Sequence, residues 1–119
     1  MTGSNEGGLA RQDIVLVDFI FSEDTGSKRR PVLVLSSAEY HHGRQEAVVA
    51  AITSNTRRIL PGDHLMDDWE HAGLPLPSVV TGIIRTIKQG MIGRKLGFVS
   101  EKDMIGIEVN LKTILGLLD

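Results

Sequence analysis

Three consecutive cations, Lys28-Arg29-Arg30, run through a proline directly into an apolar segment, Val32-Leu33-Val34-Leu35. Proline has no N–H for a ladder and is tolerated at the first residue of a strand, so Pro31 predicts a strand start with Arg30 at the mouth of a sheet. A guanidinium on such a rigid frame is well placed to reach a phosphate. The next strand-like run, Ala47 to Ile52, ends in Thr53-Ser54-Asn55, small hydroxyl and amide groups where a strand stops. If the two strands are neighbours, Arg30 and Thr53 serve one ligand. Taken alone, the same cations equally serve as solvated guards of a strand edge, and Thr53 as a hydroxyl that closes a turn.

A chain of 119 residues has room for one hydrophobic core, so any ligand site must share that single scaffold. The expected division is a disordered Gly-rich tail over 1–10 and one domain over 11–119. With 41% hydrophobic and 24% charged residues the composition is that of a globular protein, and no apolar run is long enough to span a bilayer. The first residues lack the basic and apolar regions of a signal peptide, from which a cytoplasmic location is expected. The absence of cysteine excludes disulfides, thiolate metal sites and cysteine nucleophiles. A formal net charge of −2 argues against a nonspecific nucleic-acid coat but leaves room for a local basic cleft. Neither a nucleotide-binding glycine loop nor a Gly-x-Ser-x-Gly elbow is present.

The element pattern is mainly β, of the α+β kind. Strands are expected at Asp13 to Phe19, from Pro31, from Ala47, at Ser78 to Thr81 and at Ile83 to Ile87, with a polar connection over Ser37 to Glu46. A short internal helix is expected over Asp67 to Ala72, ended by Gly73, with Trp69 as its core anchor. The clearest helix is the last. Ser100 and Asp103 approximate a capping box, and Met104, Ile107, Leu111, Ile114, Leu115 and Leu118 repeat at helical spacing. Gly106 and Gly116 weaken it by about 1 kcal/mol each relative to Ala, so packing must supply its stability.

Five segments in order, Gln12-Asp13-Ile14-Val15, Arg29 to Ser36, Ala50 to Ser54, Arg85-Thr86-Ile87 and Leu96 to Ser100, make the chain resemble the MazF/PemK family of endoribonuclease toxins over roughly residues 11–118. The resemblance implies an SH3-like small β-barrel with a C-terminal helix. It also implies a homodimer that cleaves single-stranded RNA, uses no cofactor or metal, and is neutralised by a cognate antitoxin. The family's catalytic arginine falls on Arg30 and its strand-end threonine on Thr53. RNA contacts are expected from Lys28, Arg29, Ser54, Asn55, Arg57, Arg85 and Phe21, with Tyr40 as a second stacking candidate.

The chain also departs from that pattern. Some members carry an acid where this chain has Gly82, and many carry one where it has Lys88. Proton transfer is then expected to fall to Glu23, Asp24 or His64, or cutting to be weak. An inhibitory binding protein on the same scaffold, in the manner of toxins that poison gyrase by contact, and a family member that binds RNA without cutting it are the alternatives. Asp63, His64, Asp67 and His71 fit no recognised metal motif and read as surface groups near turns, as do His41 and His42.

Overall fold

The computed structural model describes residues 8–20 and 27–117. Six antiparallel strands form one sheet: β1 (Asp13–Ile20), β2 (Ser27–Val34), β3 (Glu46–Thr53), β4 (His64–Leu65), β5 (Val79–Lys88) and β6 (Ile92–Phe98), with α1 (Ala38–His42) and α2 (Glu101–Leu115) outside it. The spatial order is β4-β5-β3-β2-β1-β6. The fold is mainly β as expected, but β4 and β6 are not paired, so the sheet is open and the word barrel applies only loosely.

Strand alternation sends apolar side chains to both faces of the sheet, because each face is covered. On the helix face Ile14, Leu33, Ala50, Ile52 and Val80 pack against Met104 and Ile107 of α2 and against Met66, Ala72 and Leu74. Trp69 lies half-buried against this cluster, as an anchor should. On the opposite face Val15, Val17, Val32, Val34, Val49 and Ile87 pack under Leu9, Met91 and Ile92. Burial of a side chain such as Ile107 contributes about 1.5–3 kcal/mol, enough to offset the glycines of α2. Gly106 has a positive reason to be there: a Cβ at this position would lie 2.6 Å from the His64 ring, so the glycine lets the helix close on that histidine.

Several expectations need correction. β2 starts at Ser27, not at Pro31. Residues 27–31 pair with β1 alone, and β3 joins only at Val32, so the proline sits at the end of one ladder and inside another. Arg30 is therefore mid-strand on a two-stranded arm. The two strands expected on either side of Gly82 are one, β5, carrying a register shift opposite Ala50 and Ile52. Asp67 to Gly73 folds as turns rather than a helix, since its leading amides are spent on the carboxylate of Asp103. The internal helix lies instead in the segment read as a polar connection, where Ser37 caps the amide of Tyr40 and Gly43 ends the turn. His41 is consequently buried rather than on the surface; its Nδ1–H donates to the Leu9 carbonyl at 3.2 Å, and Ser36 Oγ lies 2.6 Å from Nε2.

α2 forms where its spacing places it. Ser100 Oγ accepts from the amide of Asp103 at 3.2 Å, and Gly116 closes the C-terminus in the left-handed region. Met104 and Ile107 are buried, whereas Ile105, Val109 and Leu115 are exposed.

Candidate functional site

Arg30 pairs with Val17 of β1, is exposed, and makes no ion pair among the described residues. β3 runs alongside β2 with Val32 opposite Ala51, and the same register continued two steps sets Arg30 across from Thr53, the last residue of β3. Alternation puts both side chains on the face of Val32 and Val34. Arg85 of β5 pairs with Val49 and so shares that face. The hydrogen-bonded ladder ends at Val32, leaving Arg30 and Thr53 beyond its last rung.

The cationic run does not act as one cluster. Lys28 shares the parity of Arg30, but Arg29 alternates to the other side, where its Nε lies 3.2 Å from Asp18 Oδ1, its register partner. Beyond Thr53 the loop folds back on its own side chains: the Asn55 amide donates to Thr53 Oγ1 at 3.1 Å, and the Arg57 amide to Asn55 Oδ1 at 3.2 Å. These bonds use acceptor capacity only. Among the described residues the Thr53 hydroxyl hydrogen and the Asn55 amide hydrogens have no acceptor, so they can be given to a ligand. Ser54 is exposed between them.

A groove of about 450 Å³ opens beside Thr53, between this loop and the start of β5; Asn55, Arg58, Leu60, Asp63 and Ile83 line it among others. Donors, a cation and apolar walls together match a nucleotide better than a purely apolar ligand. Gly82 lines it too, and a Cβ there would meet Ile114 Cδ1 at 3.3 Å and the Gly62 backbone at 3.5 Å. A side chain at this position would therefore have to displace the tip of Ile114 by a few tenths of an ångström.

Other expected residues lie elsewhere. Phe21, Glu23 and Asp24 fall outside the described residues. Tyr40 sits on α1, beyond the other end of β2 from Arg30, with the Arg44 guanidinium 5.4 Å from its ring centre, and so does not flank the cationic arm. His64 Nε2 is held 2.8 Å from Asp103 Oδ1 on the helix side, away from Arg30. Asp67 pairs with Lys102 and Lys88 with Glu46. The two charged residues of the groove, Arg58 and Asp63, were not anticipated as part of it. In the sequence Arg58 is one of an Arg-Arg pair and Asp63 ends a Pro-Gly-Asp run, and neither setting marks a groove.

The buried ionic centre is Asp103. Burial pushes its carboxyl upward, but the amide of Asp67, the His64 ring and the amide of Asp68 outweigh this and hold it below the usual carboxylate range. At the rim, a hydrogen bond from Arg44 holds Glu46 below its ordinary value, with Lys88 adding to it.

Known proteins resemble this chain over nearly its whole length. Residues 10–115 match the family described as PemK-like, MazF-like toxins of type II toxin-antitoxin systems. An endoribonuclease from a mycobacterial species, solved with its cognate antitoxin, is 24% identical, with 94% of this chain and 99% of that one covered and a TM-score of 0.74. The Mycobacterium tuberculosis toxin MazF-mt6 is 25% identical over 90% of this chain and 99% of its own, with a TM-score of 0.73. A MazE-MazF structure from Deinococcus radiodurans shares the fold at 19% identity and a TM-score of 0.77, covering 92% of this chain and 97% of that one. Among curated proteins, none matches the chain.

Proposed function

This chain belongs to the PemK-like, MazF-like family of type II toxins, and from that premise we propose that it cuts single-stranded RNA without a metal, using Arg30 and Thr53. The observation that supports this reading is the alignment, just beyond the end of the β2–β3 ladder, of Thr53 with an exposed Arg30 that has no ion pair among the described residues. In the proposed step a ribose 2′-oxygen attacks the adjacent phosphorus as its proton leaves to a base, and the bond to the 5′-oxygen breaks as that oxygen gains a proton. The products are a 2′,3′-cyclic phosphate and a 5′-hydroxyl. Negative charge grows on the non-bridging oxygens, where a guanidinium can give two parallel hydrogen bonds. The planar guanidinium of Arg30 suits charge stabilisation and not base catalysis. Thr53 holds the phosphate and the attacking oxygen in line.

Lys28, Ser54, Asn55, Arg57 and Arg85 are proposed to hold RNA on either side of the cut. Arg29, paired with Asp18, contributes less. The exposed Ile105, Val109 and Leu115 of α2 support a homodimer, and the cations of the arm support capture of an acidic antitoxin segment. No described helix is long and apolar enough to cross a membrane, and the site of action proposed is the cytoplasm.

The test is incubation of the purified protein with a long unstructured RNA, with and without excess chelator, followed by mapping of both new ends. Cyclic phosphate and 5′-hydroxyl ends, unchanged by chelator, are expected. RNA with a 2′-deoxy residue at the cut site should bind and stay whole. Binding without any cutting would move the protein to the inhibitory-binder class.

A further inference from the structure

We infer that Asp63 is a positioning residue that holds the groove beside Thr53 in its RNA-receiving shape; this rests on the RNA-cutting reading above. Its carboxylate joins two elements: Oδ2 accepts from the Leu60 amide at 2.9 Å and Oδ1 from the Gly82 amide at 2.9 Å. Its backbone joins two contacts more, giving its amide to the Leu60 carbonyl at 3.0 Å and taking Asn110 Nδ2–H of α2 on its carbonyl at 3.0 Å. One residue therefore ties the loop that follows β3 to the bulged start of β5 and to the C-terminal helix.

The surrounding backbone is arranged around this brace. Gly62 has φ +92, in the left-handed region, and a Cβ on it would lie 2.9 Å from Ile114 Cδ1, so the turn before Asp63 is wedged between α2 and Gly82. Asp63 lines the same groove as Thr53, Asn55 and Arg58. A bare carboxylate facing a polyanion would repel it. One that already accepts two backbone N–H groups is partly neutralised, and its charge is spent on the protein's own loop. Asp63 thus acts on RNA through the residues it places.

The competing role for a carboxylate in this groove is proton acceptor, and the two roles give different kinetics. Asp63→Ala removes both carboxylate bonds. It should raise KM and weaken binding of a non-cleavable 2′-deoxy oligonucleotide by about tenfold, as loss of two groove-shaping bonds does, while the shape of the kcat pH profile is kept. Asp63→Asn keeps one acceptor oxygen and should recover part of the loss. Asn110→Ala, which cuts the link to α2 and leaves the carboxylate in place, should move KM the same way by less. Amide exchange at Leu60 and Gly82 should quicken in Asp63→Ala whether or not RNA is present.

An Asp63→Ala protein with wild-type KM, oligonucleotide affinity and amide exchange would overturn the inference. So would loss of kcat by about a hundredfold in both Asp63→Ala and Asp63→Asn with disappearance of one limb of the pH profile, which would make Asp63 a base. Should Asp63→Ala fail to fold, Asp63→Asn and Asn110→Ala decide the matter, and wild-type values in both would count against it. A wild-type protein that binds the oligonucleotide but does not cut RNA would sink the nuclease reading alone, leaving Asp63 to be judged by affinity and exchange. One that neither binds nor cuts would sink both.

Discussion

Two charged groups on opposite sides of the sheet, Asp103 and Arg30, contrast in burial and in pairing. On the helix face Asp103 is fully buried and saturated: it accepts from the amides of Asp67 and Asp68 at 2.9 and 2.8 Å and meets His64 Nε2 at 2.8 Å. On the other face Arg30 is exposed beyond the last β2–β3 rung and has no ion pair among the described residues. A buried charge without partners is costly, so one that persists has its partners built in. An exposed cation on a rigid strand has no such requirement and can keep its hydrogen bonds for a ligand. From this contrast we propose that the first group serves stability and the second chemistry, and substitutions can break that assignment.

The largest effect is expected at Arg30. Arg30→Ala should lower the initial rate of RNA cleavage by about a hundredfold or more with an unchanged thermal midpoint, because a charge-stabilising donor is lost and no packing goes with it. Arg30→Lys should restore only part, since an ammonium cannot supply the planar fork. Thr53→Ala should lower kcat by about tenfold with a smaller change in affinity. If Arg30→Ala cut RNA at the wild-type rate, the exposed face would lose its claim to the chemistry.

The reverse pattern is expected on the helix face. Asp103→Asn should destabilise the fold by about 2 kcal/mol in denaturant titration, because one amide group must then face a backbone donor, while cleavage well below the melting temperature is kept. The same group gives a pH dependence whose sign follows from its depressed folded-state pKa. Its contribution is fully present above the unfolded value, about 4, and is lost as pH falls through the lower folded value. Stability should therefore drop on acidification below about pH 4, and less steeply in Asp103→Asn. Equal slopes in the two proteins would show that Asp103 is not the group responsible.

Sequence reading found the two faces unequally. The periodicity of α2 and the serine at its start are local signals, so Ser100, Met104 and Ile107 fell where expected. Arg30 and Thr53, the proposed site pair, each sit at a change in local pattern, and the β2–β3 register extended two steps aligns them. The position of Pro31 misled because a ladder to one neighbour continued after the ladder to the other had ended. His41 and Asp103 were invisible as buried groups, since each has a partner 32 residues or more away, at Leu9 and His64 respectively. Asp63 was hidden for the same reason: Gly82 and Asn110 come from elements that only the folded chain brings together.

A third arrangement of charge separates pairing from burial. Glu46 accepts from Arg44 Nε at 3.0 Å and meets Lys88 Nζ at 3.5 Å, so it is paired like Asp103, yet its partners are more than half exposed. The hydrogen bond from Arg44 is the main cause of its lowered pKa, opposed by partial burial and helped by the charges of Arg44 and Lys88. Ordering two long, exposed side chains costs entropy and salt screens their attraction, so a half-buried carboxylate paired with them adds little to stability. Glu46→Gln should leave the thermal midpoint indistinguishable from wild type at physiological salt, with a small decrease emerging only at low ionic strength. Scanning calorimetry at two salt concentrations measures this directly. A salt-insensitive loss as large as that of Asp103→Asn would mean that pairing stabilises this fold regardless of burial, and the unpaired state of Arg30 would then no longer single out its face.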